Sequence, residues 1–246
     1  MGRLKVRMLA AATCVALIAA AATQQVASGP AVSVSSVLAD VKAAYAAIDV
    51  FDGTGWARSE ITDLDGVTHP LLFEERDFHA VFTEPDQFCF SMVHLGSRDF
   101  EPWTYTLAIE GTHVTPVGAG EAEDGPTAIR GALSGSAAFT SGAASLLVGL
   151  LLPAADSGYR LADLRDAQVA GEDIVGDDPC LRIVGRFRQR SYTYWVSRTD
   201  HTVRRFASDY SSERGLCRNT IEFVRIGVRP SGSEQMHELL RGVPPK

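Results

Sequence analysis

Six histidines, His69, His79, His94, His113, His201 and His237, are the side chains best suited to acid–base or metal chemistry. Their spacing supports neither. They form no H-E-x-x-H and no H-x-H, so each reads as a strand-surface or turn residue. Asp63 and Asp65 ahead of Gly66 echo the opening of a calcium loop. The third oxygen position and the distal glutamate are missing, and a hairpin turn is the better reading. Glu121, Glu123 and Asp124 read as a solvated acidic loop. The densest serine cluster, GALSGS at 131–136, lacks the G-x-S-x-G spacing of a nucleophile elbow. There is no phosphate-binding loop and no dinucleotide fingerprint. The chain is therefore read as non-enzymatic, with no cofactor and no metal.

Sulfur and aromatic chemistry remain. Cys89, Cys180 and Cys217 follow the N-terminal leader, and no two stand at metal-ligand spacing. In an oxidising compartment one disulfide among them, with all three pairings open, and buried free thiols are equal expectations. Aromatic residues concentrate where the chain alternates like a strand: Phe88, Phe90, Trp103, Tyr105, Tyr192, Tyr194, Trp195, Phe206 and Phe223. They could simply fill a core. The sharper expectation is a partly open apolar concavity, with Trp103, Tyr105, Tyr192 and Tyr194 in its wall. Phe88, Phe90, Leu147, Leu150 and Leu151 complete the expected lining.

Positioning these residues falls to strands and a few helices. Val37, Leu38, Val41, Ala44, Tyr45 and Ile48 recur at three and four, which predicts a helix capped by Ser36 and ended by Asp52-Gly53 and Gly55. The period then becomes two. Phe78, Ala80 and Phe82, then Phe88, Phe90 and Met92, then Trp103, Tyr105, Leu107 and Ile109 each alternate with other residues. Asp65-Gly66 and Pro85-Asp86 mark turns between strands. An acidic, Gly-rich loop spans 118–125. Small and aliphatic residues run from Ala128 to Leu152, where Ser141 could cap a helix stopped by Pro153. Strands return at 181–187, 191–197, 202–210 and 216–228, a meander of hairpins. A short helix at 233–241 is predicted to close the chain.

The N-terminus carries an address. Arg3, Lys5 and Arg7 precede an uncharged stretch from Met8 to Ala22, too short to span a bilayer. Ala20 and Ala22 offer a cleavage site and Ala27 a weaker one, so residues 1–27 read as a signal peptide. The residues before Cys14 fit a lipidation motif poorly. Residues 28–246 then form a single domain, with 118–153 a Gly/Ala/Leu-rich helical insertion. Cleavage removes three cations and no anion, taking the net charge from −7 to −10. That balance argues against nucleic acid and against electrostatic docking on anionic lipid. No segment of the mature chain is expected to span a membrane, and a periplasmic or secreted monomer is the expectation.

Three stretches carry a resemblance: VLADVKAAYAAID at 37–49, FTEPDQFCF at 82–90 and GEDIVGDDPCLRIVGRFRQRSYTYWVSRTDHTVRRF at 171–206. The last resembles the strand succession "G-E-x-V-x-G … L … W-[IV]-[DS] … L-x-R" of the lipoprotein-carrier (LolA/LolB/RseB-like) superfamily, with Trp195-Val196 and Val203-Arg204-Arg205 in place. The resemblance implies an α+β fold, a strongly curved antiparallel β-sheet (an incomplete barrel) wrapped around helices. It also implies a carrier or sensor whose concave face takes a lipid or lipoprotein acyl chain. The alternative is an envelope protein-interaction or regulatory module with no small ligand. A secreted hydrolase ranks third, because no nucleophile–base pair can be named.

Overall fold

Alternation along the strands divides the chain into an inner apolar face and an outer polar one. The computed structural model describes residues 32–83, 87–94, 103–117, 123–124, 126–155 and 161–229. The leader, the Pro85-Asp86 turn, most of the acidic loop and the segment 233–241 lie outside them. Helix α1 (Val34–Ala46) leads into strands β1 (Val50–Thr62), β2 (Thr68–Thr83), β3 (Gln87–His94), β4 (Trp103–Glu110), β5 (His113–Val117) and β6 (Glu123–Asp124). Helices α2 (Pro126–Thr140) and α3 (Ala143–Leu151) follow, then β7 (Arg165–Val175), β8 (Asp178–Phe187), β9 (Arg190–Ser197), β10 (Val203–Ser212) and β11 (Gly215–Arg229).

The eleven strands form one antiparallel sheet in the order β6-β5-β4-β3-β2-β1-β11-β10-β9-β8-β7. Every pairing but one joins chain neighbours; the exception, β1 with β11, stitches the two meanders together. Strands β6 and β7 are free edges, so the sheet is curved but not closed, as the α+β expectation required. Inner-face residues of both halves, including Phe51, Phe78, Phe90, Ile183, Tyr194 and Ile221, share one core with α1 and α3. Parity is consistent across the register: Phe78 faces Met92, and Ile183 faces Tyr194.

Helix α1 begins three residues earlier than the sequence predicts. Ser33, in extended conformation, takes the N-cap position and Ser36 lies inside the helix. Gly53 and Gly55 do not terminate α1; they belong to β1. The helix still presents its predicted stripe, with Val37, Val41 and Tyr45 buried. The Tyr45 hydroxyl accepts the Val203 N–H at 3.2 Å, tying α1 to the start of β10.

That end of the sheet is held by a charged network. Arg204 donates through Nε to Asp178 at 2.6 Å and through a terminal nitrogen to Asp200 at 2.7 Å. Ser197 donates to Asp178, and Thr202 donates to Asp200 from both its backbone and its hydroxyl. Burial alone would raise the Asp200 carboxyl, but the Thr202 hydrogen bonds and the Arg204 charge outweigh it and hold the group below its usual range. Replacing Arg204 by Met should destabilise the fold by about 2–3 kcal/mol in urea titrations at pH 7, because Asp178 loses its counter-charge. The Asp200 share exists above its unfolded-state value, near pH 4, and fades as pH falls through the lower folded-state one. A wild-type midpoint for Arg204→Met at pH 7 would refute this.

No disulfide forms among the three cysteines, all of which are free. Cys89 lies on β3, Cys217 on β11 and Cys180 on β8, each three strands from the next. At about 4.8 Å per strand, that is roughly 14 Å. Bridging needs Cα atoms within about 7 Å.

Candidate functional site

All nine residues expected to line a concavity belong to, or pack against, one hydrophobic core that runs across the sheet. Phe88, Phe90, Tyr192, Tyr194, Leu147 and Leu151 are buried in the common core, and Trp103, Tyr105 and Leu150 pack against it, partly buried. Tyr192 and Tyr194 both contact the Phe206 ring, with centroids 5.7 and 5.0 Å apart. Phe78 stacks on Phe90 and meets Phe223 edge-on. Complete burial pushes the Tyr194 hydroxyl well above its ordinary pKa.

The cover over this face is the α2–α3 hairpin. In α3, Ala143, Ala144, Leu146, Leu147, Val148 and Leu151 are all buried. Its alanines and leucines are buried in the core shared with the sheet and with α1 and α2. Trp103 meets Phe139 of α2 edge-on at 5.9 Å, and the Tyr105 hydroxyl is hydrogen-bonded to Ser136. The connection between the helices turns through two left-handed residues, Ser141 (φ 52°) and Gly142 (φ 86°). A serine there is strained, and such positions persist where the surroundings hold them.

What holds Ser141 is a buried arginine that the sequence reading missed. Arg76 of β2 is 1% exposed. It donates to the Phe139 carbonyl at 2.7 Å, to the Ser141 hydroxyl and, at 3.4 Å, to Ser59 of β1. The Ser59 and Ser141 hydroxyls are themselves 2.6 Å apart. The Phe139 carbonyl lies in the last turn of α2, where the helix dipole is negative and a cation is favoured. Desolvation pulls the guanidinium down to about 10, so it stays charged near neutrality. The signal for Arg76 was present in the alternation, since residue 76 shares the parity of Phe78, Ala80 and Phe82. Beside this pin the Thr140 hydroxyl is wholly buried, with no hydrogen-bond partner among the described residues. The closed arrangement is thus not fully satisfied.

The outer face is different in kind. Arg182, Trp195, Arg205, Glu222 and Trp56 succeed one another across β8, β9, β10, β11 and β1. Trp195 donates to Asp173 at 2.8 Å, with the Arg205 guanidinium 5.4 Å from its ring centroid. Arg205 pairs with Glu222 at 2.6 Å. His79 is hydrogen-bonded to Asp52 at 2.8 Å and His69 to Asp63 at 3.2 Å. His94 departs from the surface expectation: it is buried on β3 beside Trp103. Asp63 accepts the N–H groups of Asp65 and Val67, which makes the Asp65-Gly66 segment the expected hairpin turn. Among the described residues no cluster of His, Cys, Asp or Glu could hold a metal. No helix among them is long and apolar enough to cross a membrane.

An open, curved antiparallel sheet with helices on its concave face invites comparison with solved structures. The chain is similar to several, all under 25% identical and below a TM-score of 0.5. A LolA-superfamily protein from Nitrosomonas europaea is 8% identical, covering 83% of this chain and 97% of that one at a TM-score of 0.32. The Mycobacterium tuberculosis lipoprotein LppX is 13% identical, covering 80% of this chain and all of its own, at 0.41. MucB is 12% identical, covering 82% of this chain and 61% of its own, at 0.46. Likeness at this level concerns the fold and nothing finer. No protein-family model matches the chain. No curated protein sequence matches it either.

Proposed function

We propose that the protein is an exported, non-enzymatic carrier or sensor that receives an acyl chain between the concave face of its sheet and the α2–α3 hairpin. The observation that supports this reading is the Arg76 pin. A cover meant only to complete a core would be fixed best by apolar contact, since a buried charge costs desolvation. Here the junction of the cover carries a desolvated cation, two hydroxyls and a strained turn. The polar groups of the pin would regain water on opening, which offsets part of the cost of exposing them. Behind the pin, Trp103, Tyr105, Tyr192, Tyr194, Phe88, Phe90, Leu147, Leu150 and Leu151 form a continuous apolar set that a hydrocarbon chain could share. The working place is the periplasm or the exterior, and the working form a monomer.

The test is titration of the purified protein with a fluorescent fatty acid. Saturable binding is expected, weakened about tenfold or more by Trp103→Ala with Tyr105→Ala, which remove the contacts on which the chain would lie. Absence of saturable binding, or binding unchanged in that double variant, would end the carrier reading.

A second reading, an envelope protein-interaction module with no small ligand, is supported by α3 itself. Leu146, Leu147 and Val148 already fill the concave face, 2% exposed or less, and such a core needs no guest. A negative fatty-acid titration would leave this reading in place.

A further inference from the structure

We propose that the rim made by the start of β7 and the β8–β9 hairpin, flanked by the β10–β11 turn, docks the protein on an anionic phospholipid surface. Across the rest of the sheet, arginines are matched to carboxylates: Arg58 with Glu60, Arg182 with Asp173, Arg198 with Glu172, Arg205 with Glu222, Arg218 with Asp209, and Arg225 with Asp52. Arg165, Arg186, Arg188, Arg190 and Arg214 are exposed and carry no ion pair among the described residues. All five stand at the same end of the sheet. Arg165 is the register partner of Arg186, a like-charge juxtaposition that a merely structural edge avoids. The stretch 179–199 contains no acidic residue at all.

Two of these cations are preorganised without spending their donors. The Arg188 guanidinium lies 5.3 Å from the Phe187 ring centroid, and that of Arg190 lies 4.3 Å from the Tyr210 centroid. Stacking on a ring face fixes a guanidinium while leaving its N–H fork open to phosphate oxygens. At the β1–β2, β4–β5 and β7–β8 turns the left-handed residue is glycine, Gly66, Gly111 and Gly176; at β8–β9 it is Arg188 (φ 55°) and at β9–β10 His201 (φ 59°). Arginine holds that conformation at a strain cost that glycine would not carry.

The geometry suits a surface better than a peptide. Adjacent strand ends form a row of cations about 10–15 Å wide, matched to the many phosphates of a lipid surface. Asp163, Asp166 and Glu213 lie near it, and Asp63 and Asp65 of the β1–β2 turn bound it on one side. With a net charge of −7 on the whole chain, the body is repelled by an anionic bilayer while the rim is attracted, so approach is oriented. The acidic composition argues against lipid docking for the molecule as a whole; the charge distribution permits it at this one edge.

Vesicle flotation tests the inference with phosphatidylcholine vesicles, with and without about 30% phosphatidylglycerol, at low salt. Salt-sensitive binding to the anionic vesicles alone is expected. It should fall roughly 100-fold in Arg186→Gln/Arg188→Gln/Arg190→Gln, at about one tenfold step or less per cation. Arg188→Gly separates function from fold: it relieves the turn, so thermal stability should hold or rise while vesicle binding drops. Equal loss in the off-rim control Arg58→Gln/Arg198→Gln/Arg225→Gln would overturn the proposal. So would wild-type binding to neutral vesicles, a preference for a polyglutamate peptide, or full competition by millimolar inorganic phosphate. The inference does not rest on acyl-chain binding. Fatty-acid titration of the same rim variants should match wild type, and its failure there would count against the carrier reading alone.

Discussion

Gly55→Ala should destabilise the protein by about 3–5 kcal/mol, and Gly55→Val should leave no folded material. Gly55 sits on the inner face of β1, where the pairing with β11 is irregular. A Cβ there would overlap the Glu222 carbonyl of β11 and lie 2.7 Å from the tip of the Phe78 ring. The carbonyl is backbone of the neighbouring strand, so it yields only if β1 separates from β11. That pairing is the single junction between the two halves of the sheet. The ring has little room either, because Phe78 is packed between Phe90 and Phe223. Gly131→Ala provides the opposite sign. Nothing lies within 4 Å of its would-be Cβ on an exposed face of α2, and alanine favours a helix by about 1 kcal/mol. Urea denaturation of both variants measures the difference. Matching midpoints would show that β1 and β11 do not approach as closely as described.

Arg76→Ala should cost about 2–4 kcal/mol and loosen one part of the molecule more than the rest. The Phe139 carbonyl loses its donor at 2.7 Å, Ser141 loses the group that helps hold its left-handed turn, and a cavity opens under the cover. Hydrogen exchange is expected to quicken across 139–151 while β8 and β9 stay close to wild type. Arg76→Lys should rescue little, since an ammonium cannot span the carbonyl and both hydroxyls as the planar fork does. If acyl binding requires opening, removing the pin also lowers the opening cost, and fatty-acid affinity should rise severalfold. Exchange in α3 that remains as slow as in β9 would show that apolar packing alone holds the cover.

The sequence by itself determined most of the strands and the faces they present. Phe78, Ala80 and Phe82, or Trp103, Tyr105, Leu107 and Ile109, announce a half-buried strand because the two-residue period is a local property of the extended chain. Arg76 shares that parity and is buried with them. Strands β1 and β7 were illegible for physical reasons. In β1 the inner positions include Gly53, Gly55 and Ser59, chosen small for the rings and helices opposite, so no apolar alternation appears. In β7 one side is a free edge and most residues are at least partly exposed, so alternation has little to act on.

Tertiary structure alone decided the rest. The pairing of β1 with β11 joins segments more than 150 residues apart, and no local pattern records a register made over that distance. It separated the three cysteines onto distant strands, which decides between a disulfide and free thiols in favour of free thiols. It also brought Ser59, Arg76 and Ser141 into one pin and gathered five unmatched arginines on one rim of an acidic protein. Side-chain period is written residue by residue; which strands become neighbours depends on burying the two apolar faces together, and that free energy belongs to the whole chain.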